Sequence, residues 1–190
     1  MSHPFMEAIA SGLNEVGIAT LRYQFPYMEN RSRRPDPPAL CHATVKAAVA
    51  EAARVWTGLP LIAGGRSFGG RMTSQAQAKS PLPGVIGLAF LGFPLHPAKR
   101  PSEERAQHLF DIELPLLFLQ GTRDELAELS LLQRLVERLG TSATLQLTAQ
   151  ANHSFQVPAR TGRKNPEIIT ELVHALRDWS AQLITYNTAR

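Results

Sequence analysis

The hydrophobic residues of this chain follow two spacings, and these predict alternating strands and helices. Five short apolar runs are typical of strands: 18–25, 60–65, 85–93, 114–121 and 143–148. Apolar residues recur at helical spacing in the segments between and after them, near 5–13, 39–56, 126–135 and 168–183. Such alternation predicts one α/β domain with a mostly parallel sheet of about five or six strands and helices on both faces.

The most informative segment is a Gly-x-Ser-x-Gly pentapeptide at residues 65–69, with Ser67 at its centre. A buried-strand pattern at 59–64 precedes it. The segment 71–79 follows, contains neither Gly nor Pro and is typical of a helix. A serine on such a sharp strand-to-helix turn is held with its hydroxyl clear of the sheet, which is the geometry that a nucleophile needs.

Other uses of a glycine-rich turn fit this segment less well. A phosphate-binding loop needs Lys-Ser or Lys-Thr after the second glycine, whereas Gly69 is followed by Gly70 and Arg71. The three glycines of a dinucleotide-binding fingerprint are not present at the required spacing either. The remaining alternative is a tight structural turn whose serine has no chemical role.

Candidate partners for Ser67 follow two later strands. Asp124 comes just after the run 114–121, and His153 just after the run 143–148. Serine, aspartate, histidine is the chain order of the hydrolase triads built on α/β sheets, and the carboxyl ends of parallel strands meet at one edge. His96 also follows a strand but precedes the aspartate, so we interpret it as a structural residue of the pocket wall.

The chemistry explains why these residue types are needed. A serine hydroxyl becomes a good nucleophile only when an imidazole takes its proton. The carboxylate fixes the imidazole tautomer and stabilises the imidazolium that forms. Backbone amides stabilise the oxyanion, and the amide of Phe68 is the predicted first donor. The sequence therefore predicts that Ser67, Asp124 and His153 are catalytic.

Five segments together resemble a small α/β-hydrolase family related to dienelactone hydrolases: 21–28, 64–71, 91–97, 119–124 and 153–155. That family includes the testis-expressed hydrolase-like protein and a chromatin-complex subunit of animals. The resemblance runs over essentially the whole chain. It implies the α/β-hydrolase fold with Ser67, Asp124 and His153 at the triad positions, and it implies no particular substrate. Dienelactone hydrolases use a cysteine nucleophile, whereas this chain carries Ser67.

The amino terminus departs from the family pattern. A glycine-rich loop normally precedes the first helix and gives the second oxyanion amide, but residues 1–6 resemble the family sequence just after that loop. We therefore expect residues 1–190 to form a single α/β-hydrolase domain that is N-terminally incomplete, with the natural protein starting upstream of Met1. We also expect weak or no activity of this form, and strands 18–25 and 60–65 that are separated or abnormally paired.

Composition excludes several other classes of protein. With 44% hydrophobic residues and no apolar run of membrane-spanning length, the chain predicts a compact soluble enzyme in the cytoplasm. The single cysteine, Cys41, forms no internal disulfide, and no spacing of Cys and His indicates a metal site. We expect no cofactor, no metal and no membrane partner. The oligomeric state is left open.

The net charge of +4 raises the question of nucleic-acid binding. Basic residues are scattered, apart from a group within 31–34 and another within 160–164, and neither group is interleaved with aromatic residues. We predict no nucleic-acid partner and interpret both groups as solvated surface. A role in binding an anionic substrate or partner remains the alternative.

Two hypotheses about function follow. The first is a serine hydrolase that acts on a small carboxylic ester, thioester or related acyl compound, with a small molecule as its partner. The second is a non-catalytic hydrolase fold that serves as a binding or scaffolding protein. The Ser-Asp-His set favours the enzyme, and the missing oxyanion segment favours the alternative.

Overall fold

The computed structural model describes residues 3–188, with side chains to residue 186. Its helices are α1 (Pro4–Glu15), α2 (Pro26–Glu29), α3 (Pro38–Val55), α4 (Phe68–Lys79), α5 (Leu129–Leu139) and α6 (Asn165–Thr188). Its strands are β1 (Leu61–Arg66), β2 (Val85–Leu91), β3 (Leu116–Gly121) and β4 (Ala143–Thr148). Short 3₁₀ turns lie at Glu104–Asp111, Gly140–Ser142 and Ala159–Thr161. No helix of the described part is both long and apolar enough to cross a membrane.

The four strands form one parallel sheet in the order β1-β2-β3-β4. All four coincide with predicted strands, and the predicted α/β class is confirmed. Each crossover between neighbouring strands passes through a helix or a 3₁₀ turn, as parallel strands require. The carboxyl ends of all four strands therefore meet at one edge of the sheet, where the candidate residues were expected.

Helices cover both faces of the sheet, so the core has two layers. One layer joins α3, α4 and α5 to the sheet through residues such as Val45, Met72 and Phe118. The other joins α1 and α6 to it through residues such as Ile9, Leu119 and Leu172. Alternate residues of β3 enter opposite layers, which explains its continuous apolar run.

The predicted number of five or six strands is wrong: the described residues contain four. The run 18–25 lies beside β1 but forms neither a strand nor a regular helix up to Phe25. A strand needs a hydrogen-bonded neighbour, and β1 is paired only with β2 within the described residues. The apolar pattern of 18–25 correctly predicted that the run is partly buried. It did not show that the run would have no hydrogen-bonded strand beside it among the described residues.

Two cavities separate the run 18–25 from β1. One, of about 210 Å³, opens toward α1 and α6, and the other, of about 230 Å³, opens toward α3. Ile18, Leu21 and Ile62 line both cavities. The expected separation of the two segments is therefore observed, and it leaves two cavities beside the strand that leads to Ser67.

Candidate active site

Ser67 occupies the sharp turn between β1 and α4. Its backbone has φ 51° and ψ −118°, a conformation that costs a non-glycine residue about 1–3 kcal/mol. The close approach of α4 to β1 requires glycine, because a Cβ on Gly70 would lie 2.7 Å from the carbonyl oxygen of Gly65. The Ser67 amide donates to the Leu91 carbonyl of β2 at 3.1 Å, which fixes the turn to the sheet.

Asp124 and His153 lie on the loops after β3 and β4, at the same edge as Ser67. His153 Nε2 is 2.8 Å from the Ser67 hydroxyl oxygen, and His153 Nδ1 is 2.7 Å from Asp124 Oδ2. The Asp124 side chain is fully buried, whereas that of His153 is 21% exposed. The structure thus brings together the three side chains that chain order and strand ends had singled out.

Hydrogen bonds to the carboxylate of Asp124 hold it in place. Its Oδ1 accepts the Leu126 amide N–H at 2.8 Å, and its Oδ2 accepts both His153 Nδ1 and the Nε2 of buried Gln120. The Oε1 of Gln120 accepts the Phe93 amide at 2.9 Å, so this side chain is locked from both ends. Sequence analysis assigned Gln120 no role. Its presence as a polar residue within the otherwise apolar run 114–121 could have indicated a role.

The loop that carries His153 is shaped by its own polar groups. Asn152 Oδ1 accepts the amide N–H groups of Ser154 and Gln156 at 2.9 and 3.0 Å, which is a tight Asx-type turn. Gly92, at φ +73°, passes under the imidazole, and a Cβ there would lie 3.5 Å from His153 Nδ1. Asn152 was also missed, although an asparagine directly before the candidate histidine is a recognisable turn signal.

The two loops are also tied to each other. The Arg123 amide donates to the Ala151 carbonyl at 2.8 Å, and the Gln150 amide donates to the Thr122 hydroxyl at 2.8 Å. These bonds fix the distance between the carboxylate and the imidazole because they join the backbones that carry them. Asp124 and His153 therefore lie on two loops that hydrogen bonds hold together.

His96 takes a structural position. It is buried, its Nδ1 donates to the Pro97 carbonyl at 2.9 Å, and its Nε2 accepts the Glu128 amide N–H at 2.9 Å. Both ring nitrogens are thus used by the backbone, and neither is free to take a proton from Ser67. This geometry agrees with the structural interpretation of His96.

Phe68, the predicted oxyanion donor, is the first residue of α4. The first amides of a helix have no intrahelical acceptor, and the helix dipole favours negative charge there. The Phe68 ring packs edge-on against Phe25 and Tyr27, with centroids 5.6 and 6.1 Å away. The amide therefore lies on a well-anchored residue directly after Ser67, and its role in catalysis remains a prediction.

Metal ligands were neither predicted nor found in the described part of the chain. No group of three or more His, Cys, Asp or Glu side chains there is placed to hold a metal ion. The chemistry that the site can perform with its own groups is proton transfer between a hydroxyl, an imidazole and a buried carboxylate.

Comparison with known proteins agrees with the fold and identifies the family. Residues 1–181 match the family model described as an alpha/beta hydrolase domain. Because the match covers nearly the whole chain, the chain belongs to that family and is a hydrolase by family.

Solved structures show the same fold at low sequence identity. A serine hydrolase homologue from Coxiella burnetii is 20% identical, with a TM-score of 0.69 over 90% of this chain and 76% of that one. A serine hydrolase without a lid from Xanthomonas campestris is 22% identical, with a TM-score of 0.69 over 94% and 75%. The esterase domain of a Rhodothermus marinus protein is 16% identical, with a TM-score of 0.67 over 94% and 80%.

Proposed function

We propose that this protein is a serine hydrolase that cleaves a small carboxylic ester, thioester or related acyl compound. The observation that carries the proposal is the continuous hydrogen-bonded chain from the Ser67 hydroxyl through His153 to the buried Asp124 carboxylate. A merely structural turn would need no such chain. The strained backbone of Ser67 supports the same conclusion, because strain of this kind collects at functional sites.

The proposed reaction has two halves. Ser67 Oγ attacks the acyl carbonyl while His153 Nε2 takes its proton, and the Phe68 amide N–H donates to the oxyanion. The tetrahedral intermediate collapses as His153 returns the proton to the leaving alcohol or thiol. Water then attacks the acyl-enzyme with His153 again as base, which releases the acid and restores Ser67.

Asp124 determines which imidazole nitrogen is basic. Because His153 Nδ1–H donates to Asp124, the lone pair lies on Nε2 and faces Ser67. Gln120 and the Leu126 amide keep the carboxylate from rotating away. The pair therefore works as a base of fixed orientation.

The finer placement of the protein is part of the proposal. The resemblance carried by residues 64–71, 119–124 and 153–155 supports a place near the dienelactone hydrolases. We propose a cytoplasmic enzyme whose partner is a small acyl substrate.

Labelling with a fluorophosphonate probe tests the proposal. The unaltered chain should be labelled covalently even if its ester turnover is as weak as expected, because the probe needs only a nucleophilic Ser67, and Ser67→Ala should remove the label. His153→Ala should lower the labelling rate by roughly a thousand-fold or more, because the serine then lacks its base. Asp124→Asn should cost about as much, because it allows the wrong tautomer.

His174→Ala is the matched control, since His174 is an exposed residue on α6. It should leave labelling unchanged. A chain that is folded by circular dichroism yet takes no label would contradict the proposal and favour the non-catalytic binding protein. Labelling that survives Ser67→Ala would show that another residue is the nucleophile.

A further inference from the structure

Arg66 immediately precedes the nucleophile and carries a positive charge that no carboxylate neutralises. Among the described residues, no acidic side chain forms an ion pair with its guanidinium, whereas Arg138 pairs with Glu103 and Arg163 pairs with Glu171. Burial lowers the pKa of Arg66, which is the sign of an environment that disfavours its charge. An arginine nevertheless stays protonated. The guanidinium beside Ser67 is therefore charged, and it has no ion-pair partner within the part of the chain that the structure describes.

The polar contacts of Arg66 are with neutral groups. One terminal nitrogen lies 2.8 Å from His3 Nε2, and the other donates to the Ser154 hydroxyl at 2.9 Å. The Nε atom is buried and has no acceptor in the part of the chain that the structure describes. A guanidinium has five N–H donors, and the two contacts use one on each terminal nitrogen.

His3 adds an acceptor but no compensating charge. Burial first, and the charge of Arg66 second, lower the pKa of His3, so the imidazole is neutral at pH 7 and can accept from Arg66. The nearest acidic group that acts on Arg66 is Asp124, whose oxygens already accept from His153, Gln120 and the Leu126 amide. His3 is thus neutral, and Asp124 acts on Arg66 through its charge, which raises the pKa of the guanidinium and opposes the effect of burial.

Aromatic packing holds the cation at the active site. The guanidinium lies over the Phe5 ring at 5.5 Å from its centroid, and Phe5 stacks on Phe155 at 5.4 Å. Ser154 directly follows His153, so one contact of Arg66 lies on the loop that carries the base. Arg66 is thus joined to that loop and directly precedes the nucleophile in the chain.

We propose that Arg66 determines substrate specificity by binding a carboxylate carried on the acyl group of the substrate. This inference rests on the proposed function and names its substrate class: half-esters or half-thioesters of short dicarboxylic acids. The planar fork of a guanidinium matches the two oxygens of a carboxylate. Because Arg66 contacts Ser154, the residue directly after His153, we infer that a short carbon chain separates the carboxylate from the scissile carbonyl.

Two matched esters test the inference in the pH-stat: monomethyl glutarate, which carries the carboxylate, and methyl pentanoate, which is neutral. We expect Arg66→Gln to lower kcat/KM for monomethyl glutarate by about tenfold or more, since a charge-assisted hydrogen bond contributes at least that factor. Turnover of methyl pentanoate should stay within about twofold, a difference that a lost neutral contact does not exceed. Arg66→Lys should retain part of the preference.

Arg134→Gln is the charge-matched control, because Arg134 is an exposed arginine on α5, outside the loops that carry the triad. It should leave both rates unchanged. If Arg66→Gln slows both esters equally, Arg66 only positions the His153 loop and the inference is overturned. The same conclusion follows if it slows neither ester.

A binding measurement separates this inference from the proposed function. Glutarate should bind Ser67→Ala saturably in calorimetry, and the added Arg66→Gln change should abolish that binding. Glutarate binding that needs Arg66, found together with no hydrolysis of either ester by the unaltered chain, would support the carboxylate site and contradict the hydrolase. Hydrolysis of methyl pentanoate without glutarate binding and without a preference for monomethyl glutarate would support the hydrolase and contradict the carboxylate site.

Discussion

The two halves of the sheet differ in how completely they are packed. Every residue of β3 is buried, and β3 is hydrogen-bonded to a strand on each side. Every residue of β1 is only partly buried, and beyond β1 lie two cavities and the irregular run 18–25. The same fold thus contains a dense half and a loosely packed half.

The catalytic candidates are divided between these halves. Asp124 follows β3, whose residues are all buried, and His153 follows the half-exposed edge strand β4, whereas Ser67 follows β1. Positioning of a nucleophile depends on the rigidity of its support. For Ser67 that support comes from α4 and from the bond of its amide to Leu91, and not from a second neighbouring strand. Stability and site geometry should therefore respond differently to changes in the two halves.

The largest contrast should come from truncating one large side chain in each half. Phe118 is fully buried and packs against Phe90 and Phe93, with ring centroids 5.0 and 5.8 Å away. Phe118→Ala should lower the free energy of unfolding by about 3–5 kcal/mol. Ile62→Ala on β1 should cost less than about 2 kcal/mol, because Ile62 already faces cavities and loses fewer contacts.

Urea denaturation monitored by circular dichroism measures both values. Equal losses for Phe118→Ala and Ile62→Ala would show that β1 is as well packed in solution as β3. The comparison of the two halves would then be wrong.

Apolar patterning was sufficient for the dense half because burial and pairing coincide there. The runs 85–93 and 114–121 are buried on both faces, which makes them continuous in the sequence and unambiguous. The run 18–25 has the same kind of pattern, yet a strand also needs a hydrogen-bonded neighbour. Whether that neighbour exists is a property of the tertiary structure and cannot be read from the run itself.

Only those site residues that directly follow a strand could be predicted from the sequence. Chain order and strand ends selected Ser67, Asp124 and His153 because parallel strands bring their carboxyl ends together. The contacts of Gln120 with Asp124, and of Arg66 with His3, join side chains whose orientations depend on packing. No local pattern encodes those orientations, so both residues were visible in the sequence without a role.

A smaller contrast should come from enlarging one alanine in each half. Ala106, in the 3₁₀ turn between β2 and β3, is fully buried, and Ala106→Val should lower the free energy of unfolding by about 1–3 kcal/mol through overpacking. Ala63 on β1 lines both cavities, so the added methyl groups of Ala63→Val have room. We expect that change to alter stability by less than about 1 kcal/mol, in the stabilising direction.

Thermal melts of the two alanine variants, with fluorophosphonate labelling in parallel, check this contrast. Labelling of Ala63→Val should match that of the unaltered chain, because the substitution does not touch Ser67. A loss of stability in Ala63→Val as large as that in Ala106→Val would mean that the cavities close in solution.

The smallest expected difference is in how far two histidines lower the stability of the protein at acid pH. His108 Nε2 is 2.7 Å from the hydroxyl of buried Ser74, and burial first, with Arg71 second, lowers the pKa of His108 from 6.5 to about 4. Asp111 opposes the shift. Between pH 6.5 and about 4, His108 is more fully protonated in the unfolded chain than in the folded one. The contribution of neutral His108 to the free energy of unfolding is therefore fully present above about pH 6.5 and is lost as the pH drops toward 4.

His108→Gln should remove this acid-side slope, which urea unfolding between pH 7.5 and 4.5 would measure. Because His108 is partly exposed, solvent screening keeps the expected difference at pH 5.5 below about 1 kcal/mol. His42, on α3 in the loosely packed half, is the matched residue: burial lowers its pKa as well, but its contact with Gln75 at 3.4 Å opposes that shift. His42→Gln should flatten the slope less. An unchanged slope in His108→Gln, or a larger change in His42→Gln, would show that acid sensitivity does not arise at the Ser74–His108 contact.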